Sequence, residues 1–206
     1  AFGANSYYFD GGDYLTAADN DVWDLPITMT IEAWINSTHV GADNTIICHG
    51  GDGGSDVDGW NLRLQSSGRL QFVDYKSSTV NIIYADHEFA ISQWHHVAVS
   101  RDGTNINLYI DGKRLEHTMT SAHKANLITA SAASSLPLVI GKAHTAHWYF
   151  TGYIDSIRIS NGIDRFANWM KGTNIKAGLN AVHHSHCKLL ITSNTFNGNT
   201  HFDDFS

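Results

Sequence analysis

Apolar and polar residues alternate through residues 94 to 112, Trp-His-His-Val-Ala-Val-Ser-Arg-Asp-Gly-Thr-Asn-Ile-Asn-Leu-Tyr-Ile-Asp-Gly. Ile106, Leu108 and Ile110 share one side, and Asn105, Asn107 and Tyr109 the other. A period of two marks a half-buried strand. Asp102-Gly103 offers the positive φ values of a two-residue turn, so 94–101 and 105–110 are expected to pair as an antiparallel hairpin. Asp111-Gly112 then turns the chain again. The same period places Ile27, Met29, Ile31, Ala33 and Ile35 opposite Thr28, Thr30, Glu32, Trp34 and Asn36, a long strand with one apolar face. Residues 7 to 16 read as strand, Gly turn and strand. Leu62 and Leu64, a turn at Ser66-Ser67-Gly68, then Leu70 and Phe72 predict a second hairpin. Further strands are expected at 79–84, 136–141 and 152–160, and one short helix from Asp164 to Lys171. Many short strands with regular turns and no long helix predict an all-β sandwich of two antiparallel sheets.

Composition narrows the function more than the fold. The chain has 206 residues, 42% of them apolar, a size common for one all-β domain with a sizeable core. With 2 Pro and 18 Gly, its turns are built from Gly, Asn and Asp. A formal charge of −7 argues against nucleic acid as a partner. No apolar run approaches the roughly 20 residues that span a bilayer. The chain opens with neither a signal peptide nor an initiator Met, as expected of a processed product or a fragment. Cys48 and Cys187 match no metal or redox spacing; a disulfide and two buried thiols remain alternatives.

Four stretches carry a family resemblance. W-H-H-V-A-x-x-R-D-G-x-x-x-x-L-Y-I-D-G resembles the central hairpin of laminin-G-like domains, within the concanavalin A-like jelly-roll group. Phe9-Asp10-Gly11 with Tyr14-Leu15 is similar to the family's entry motif. Thr30-Ile31-Glu32-Ala33-Trp34 is similar to its long strand, and Gly152-Tyr-Ile-Asp-Ser-Ile-Arg-Ile159 to its closing strand. The resemblance spans residues 7 to about 163 and implies a concanavalin A-like jelly roll. On it the chain divides into a sandwich at 1–171, a polar connector at 172–187 and a tail strand at 188–206. The tail resembles the opening of a further copy in phage and marine-virus tail proteins that carry this domain in tandem. It is expected to complete the same sandwich, to be donated to a neighbouring subunit, or to open a following repeat.

Some members of this group hydrolyse glycosides with two carboxylates about 5 Å apart. Here the three Glu, Glu32, Glu88 and Glu116, are far apart in sequence, and no strand carries alternate carboxylates. Glu32 is expected to be solvated or salt-bridged. No nucleophile elbow, phosphate loop or H-E-x-x-H is present. The chain therefore reads as a non-enzyme, with a glycoside hydrolase on the same fold as the weaker alternative.

The resemblance implies one structural calcium ion, held by Asp155 of the closing strand. Oxygens near Asp10 and Gly11, and the Asp204 carboxylate, would complete its shell of hard ligands. The competing role for Asp155 is to cap backbone N–H groups. His183, His184, His186 and Cys187 have zinc-type donors in no structural zinc spacing. For ligand contact the candidates are Asp52, Asp56 and Asp58 of a Gly/Asp-rich loop, Trp60 beside it, and His144, His147 and Trp148. In the family a tryptophan at the position of Trp60 packs inside. Loops 49–60, 75–78 and 142–149 are the expected contact surface. The reading is a lectin-like adhesion or structural module of a virion, tail fibre or other extracellular surface assembly. Its expected partners are a glycan or host surface, other virion subunits, and a second copy of itself. A purely architectural oligomerisation domain is the alternative.

Overall fold

The structure is a computed structural model describing residues 6–38, 41–51, 58–77, 79–88, 90–145, 147–166 and 186–191. The strands are β1 (Tyr7–Asp10), β2 (Leu15–Ala17), β3 (Thr28–Ser37), β4 (Asn44–Gly50), β5 (Gly59–Leu64), β6 (Leu70–Lys76), β7 (Thr79–Ala85), β8 (His95–Asp102), β9 (Ile106–Ile110), β10 (Lys113–Arg114), β11 (His117–Thr118), β12 (Leu138–Ile140), β13 (Thr151–Asn161) and β14 (Cys187–Ile191). One helix, α1, covers Ser121–Leu127. The first sheet runs β1-β13-β3-β8-β9-β10, with β14 also on β13; the second runs β11-β7-β6-β5-β4-β12-β2. All described pairings are antiparallel. The two sheets make the expected jelly-roll sandwich.

Alternation explains which residues meet between the sheets. Met29, Ile31, Ala33 and Ile35 of β3 are wholly buried, as are Val97 and Val99 of β8 and Leu108 of β9. From the second sheet come Trp60, Leu62, Phe72 and Ile83, all at 0% exposure. Each such aliphatic side chain contributes about 1.5–3 kcal/mol by leaving water. The strands therefore register by their apolar faces, because a one-residue slip would turn every such side chain outward.

The hairpin turns refine the sequence reading. The β8–β9 turn centres on Gly103 and Thr104, since Asp102 N–H donates to the Asn105 carbonyl at 3.1 Å. Gly103 has φ +85°. Asp102 keeps its place in the strand and caps the turn, its Oδ1 accepting from the N–H groups of Thr104 and Asn105 at 2.7 Å each. Asp111 and Gly112, at φ 51° and 76°, do form the two-residue turn into β10. Strand β4 and helix α1 were not anticipated. The stretch of β4, Asn-Thr-Ile-Ile-Cys-His-Gly, is buried throughout and does not alternate, so it shows no period of two. The expected helix at 164–171 lies outside the described residues beyond Phe166.

Strands β1 and β14 lie end to end along one edge of β13. Tyr7 to Asp10 pair with Ile154 to Thr151, and Cys187 to Ile191 pair with Ser160 to Ile157. Both thiols are free, with Cys48 in the second sheet and Cys187 in the first, so no disulfide joins them.

Candidate functional site

The outer face of the second sheet holds polar side chains by the same alternation that fills the core. In β5, Trp60, Leu62 and Leu64 point inward, which turns Asn61 and Arg63 outward. In β6, Leu70 and Phe72 point inward, and Gln71, Val73 and Tyr75 outward. Yet Asn61 is 0% exposed, Gln71 2%, and Arg63 and Tyr75 7%. A segment from Gly141 to Phe150 crosses this face. Gly141 N–H donates to the Ile46 carbonyl (3.0 Å), Thr45 N–H to that of Trp148 (3.3 Å), and the Cys48 thiol to that of Lys142 (3.4 Å). Gly141 is required at the bend: its φ is +83°, and a Cβ there would sit 2.4 Å from the Phe9 ring.

Under that segment the Arg63 guanidinium stands 4.3 Å from the Trp148 ring centroid. Arg63 Nε donates to Gln71 Oε1 at 2.7 Å and lies 3.3 Å from Asp43 Oδ2. These contacts fix the planar fork, and stacking on an indole suits it. Two buried atoms beside it have no partner, Arg63 Nη1 and Asn61 Oδ1, although Asn61 Nδ2 reaches Thr45 Oγ1 at 3.4 Å. A buried polar group left unpaired costs about 1–3 kcal/mol, so such atoms mark where a water or ligand group would be accommodated. Further along, Lys142 Nζ lies 4.8 Å from the Tyr14 ring and 5.3 Å from that of Tyr149, which stacks with His147 at 6.4 Å. The result is an accessible layer of Tyr14, Lys142, His147, Trp148 and Tyr149 over a buried layer of Arg63, Gln71 and Asn61 that positions it. It can stack on a flat ring and exchange hydrogen bonds with hydroxyl or carboxylate groups.

The first sheet also buries charge on its outer face, with a different outcome. Glu32 is 6% exposed. Its carboxylate accepts from His96 Nε2 (3.1 Å) and Arg158 Nε (2.6 Å), with Arg165 Nε at 3.0 Å. Burial alone would raise this carboxyl. The His96 hydrogen bond and the charges of Arg158 and Arg165 outweigh burial and hold it down at about 2. Glu32 is thus a permanent anion that fastens the segment after β13 to the sheet. Between the sheets, burial lifts the Asp74 carboxyl to about 6 against the opposing charges of Lys76 and Arg101. His49 meets Asp19 at 3.0 Å and Asp24 at 3.4 Å, but it is wholly buried beside Trp60 and sealed from any substrate.

Several expected site residues are placed elsewhere than anticipated. Trp60 is no platform: it is 0% exposed and its indole N–H donates to the Trp23 carbonyl at 2.8 Å. The alternation that turns Asn61 outward turns Trp60 in. His144 sits against the Pro137 carbonyl at 3.3 Å, while His147 and Trp148 join the surface described above. Asp58 Oδ1 accepts from Ser77 N–H at 2.6 Å, linking two of the expected loops at the Gly59 end of β5. Trp148 lies at the other end of that strand, about 13 Å away at 3.3 Å per residue. Asp58 and Trp148 therefore stand at opposite ends of β5, while His144 of the third loop is held by Pro137 nearer the Gly59 end. Asp52 and Asp56 lie outside the described residues.

Of the expected calcium ligands, Asp155 and the Asp10–Gly11 turn are not brought together. Asp10 pairs with Thr151, four residues along β13 from Asp155, a separation of about 13 Å. One ion cannot bind Asp155 and the Asp10–Gly11 turn together. Each carboxylate is engaged locally: Asp10 Oδ1 accepts from Gly12 N–H at 2.8 Å, and Asp155 Oδ1 from Ser156 N–H at 2.7 Å. Ser156 has φ 52° and starts the bulge between Asp155 and Arg158, so Asp155 serves as a backbone cap there. Asp204, His183 and His184 lie outside the described residues. Among the described residues no group of three His, Cys, Asp or Glu could hold a metal ion.

Lys142 and Tyr149 fall in the expected 142–149 loop, while the sequence reading missed Asn61, Arg63, Gln71 and Tyr14. Asn-Leu-Arg-Leu did carry a signal, since its polar members must face away from Leu62 and Leu64. That a distant segment would roof them was not visible.

With this fold and surface described, the family follows. A laminin G model of the concanavalin A-like lectin/glucanases superfamily matches residues 9–163, and the chain belongs to that superfamily. No curated relative matches its sequence. Among solved structures it is similar to the CBM40 of the Ruminococcus gnavus IT-sialidase, at 14% identity and TM-score 0.64, over 82% of this chain and 96% of that one. A putative carbohydrate binding protein from Bacteroides ovatus matches at 15% identity and TM-score 0.63, over 97% of this chain and 54% of that one. Domain 4 of AbnA, a GH43 extracellular arabinanase from Geobacillus stearothermophilus solved with arabinotriose, matches at 17% and 0.58, over 75% and 69%. At these identities the likeness establishes the fold, which is one used by carbohydrate-binding modules. No helix among the described residues is long and apolar enough to cross a membrane.

Proposed function

We propose that this chain is a non-catalytic carbohydrate-binding module whose contact surface is the Gly141–Phe150 segment over β4, β5 and β6. One observation carries the reading: Arg63 is oriented by Gln71 and Asp43 and stacked on Trp148, beside buried Arg63 Nη1 and Asn61 Oδ1 that lack partners. Lys142, Tyr149, Tyr14 and His147 extend that surface. A few fixed polar groups among aromatic rings is the usual make-up of a small-ligand site. The carbohydrate-binding relatives of the same fold support the assignment. The anion Glu32 is engaged by two guanidinium groups and the His96 ring and has no proton to give, which supports a binding role over hydrolysis. In our reading the module acts in adhesion on a virion or other extracellular surface assembly, as the tandem-repeat resemblance of the tail suggests.

A glycan array run with calcium and then with EDTA, on the wild-type chain and Arg63→Ala, tests this. The expected outcome is binding to a defined set of glycans, insensitive to EDTA and reduced about tenfold or more in the variant. Binding unchanged in Arg63→Ala would overturn the site. No binding in any arm would move the reading to the architectural alternative.

A further inference from the structure

Three exposed aromatic residues meet at one corner of the first sheet. Tyr8 is 56% exposed, Trp94 41% and Tyr153 37%. Tyr8 and Tyr153 are cross-strand neighbours of β1 and β13, with ring centroids 5.0 Å apart and planes at 49°. Trp94 stands one residue before β8, its ring 6.2 Å from Tyr153 at 45°. All three project from the outer face, because Phe9, Ile154 and Ile35 take the core positions between them. Tyr153 pairs with Asn36, whose Oδ1 is buried and without a hydrogen-bond partner beneath the rings. Exposing three touching rings costs solvation energy, which a surface with no ligand has no reason to keep.

We propose that this corner is a second saccharide-binding surface, which takes the ring face of a neutral sugar. The inference rests on the carbohydrate-binding reading of the chain but not on the loop surface as its site. The tilted rings offer stacking faces for the C–H side of a pyranose, and the tyrosine hydroxyls supply polar edges for its hydroxyls. Charge selects among sugars. On β1 the outward position two residues from Tyr8 is the exposed carboxylate Asp10. On β13 Asp155 is 5% exposed and caps Ser156 N–H. The outward position two residues from Trp94 is His96, which is engaged with Glu32, so the one exposed charge among these neighbours is negative. Acidic sugars would be repelled, whereas carboxylates accept hydrogen bonds readily from neutral hydroxyls. The loop surface, with Arg63 and Lys142, has the opposite balance and lies on the other sheet. The module is therefore bivalent, and two weak contacts on opposite faces would combine through effective concentration on a polymer.

Affinity electrophoresis tests this in gels containing a soluble β-glucan, an arabinan or a galactomannan, with polygalacturonate as the acidic probe. The expected result is retardation by at least one neutral polymer. Trp94→Ala and Tyr153→Ala should each weaken it about tenfold, and Arg63→Ala should leave a remainder that the Arg63→Ala/Trp94→Ala double variant loses. Sedimentation at rising concentration accompanies each gel. If Trp94→Ala migrates as the wild type does on every neutral gel, the second surface is overturned while the loop surface stands. If Arg63→Ala is silent and Trp94→Ala abolishes retardation, the loop surface falls and this one stands. Self-association lost in Trp94→Ala without a change in any gel would mean that the rings bind a second copy, and the proposal would fail.

Discussion

Two faces of this sandwich bury charge on the side away from the core, and they settle it in opposite ways. On the first sheet, Glu32 meets His96, Arg158 and Arg165, and the carboxylate is fully engaged. On the second, Arg63 meets one carboxylate, one amide and one indole, and Nη1 and the neighbouring Asn61 Oδ1 are left over. The difference teaches how to separate a structural cluster from a ligand site in the same domain. Both clusters keep an unpaired buried atom, His96 Nδ1 in the first and Arg63 Nη1 in the second. What separates them is that Glu32 has both carboxylate oxygens engaged, while Arg63 is stacked under the partly exposed ring of Trp148.

The largest expected effect would break the first face. Glu32→Gln leaves two guanidinium groups buried without their counter-charge and is expected to cost about 3–5 kcal/mol, read as a lowered denaturation midpoint in urea. A loss below about 1 kcal/mol would erase the contrast between the faces.

The pH dependence of stability sharpens the same point. The Glu32 carboxyl sits at about 2 in the fold, below its ordinary 4.5. Its contribution is present above pH 4.5 and is lost as pH falls toward 2, up to about 3 kcal/mol at 1.36 kcal/mol per unit. Asp74 acts in the other sense. Burial raises it to about 6 from 3.8, so stability declines as pH climbs between those values. Melting curves from pH 2 to 7 should show the acid limb vanish in Glu32→Gln and the shallower decline vanish in Asp74→Asn.

The smallest effect on stability belongs to the second face. Asn61→Ala removes an acceptor that has no partner along with one long hydrogen bond to Thr45 Oγ1 and should lower unfolding free energy by about 1 kcal/mol. The same variant should weaken glycan binding severalfold. A severe loss of stability would place Asn61 with the structural clusters instead.

Much of this was legible before any coordinates. The period of two in β3 and β9 fixed which residues enter the core, because the pleat forces successive side chains to opposite faces. The Asp-Gly pairs marked both turns of the central hairpin, although at the first one Asp102 remained in the strand as a cap. Glu32 was expected to be solvated or salt-bridged and proved salt-bridged. Where the structure departs from the reading, as with Trp60 and the Asp155–Asp10 pair, proximity in sequence or family habit stood in for register. Asp10 and Asp155 are on neighbouring strands, but antiparallel pairing places them at opposite ends of the contact.

Alternation of side chains by itself determined the all-β class and the inward and outward assignment of most strand residues, while the family was carried by the four motifs that resemble laminin-G-like domains. Local geometry repeats along a strand and needs no distant partner. Only the tertiary structure decided that Trp148 would lie over Arg63, that Tyr8, Tyr153 and Trp94 would meet, and that Glu32 would gather two arginines and a histidine. Those meetings join strands far apart in the chain, and the packing of the whole sandwich sets their distances.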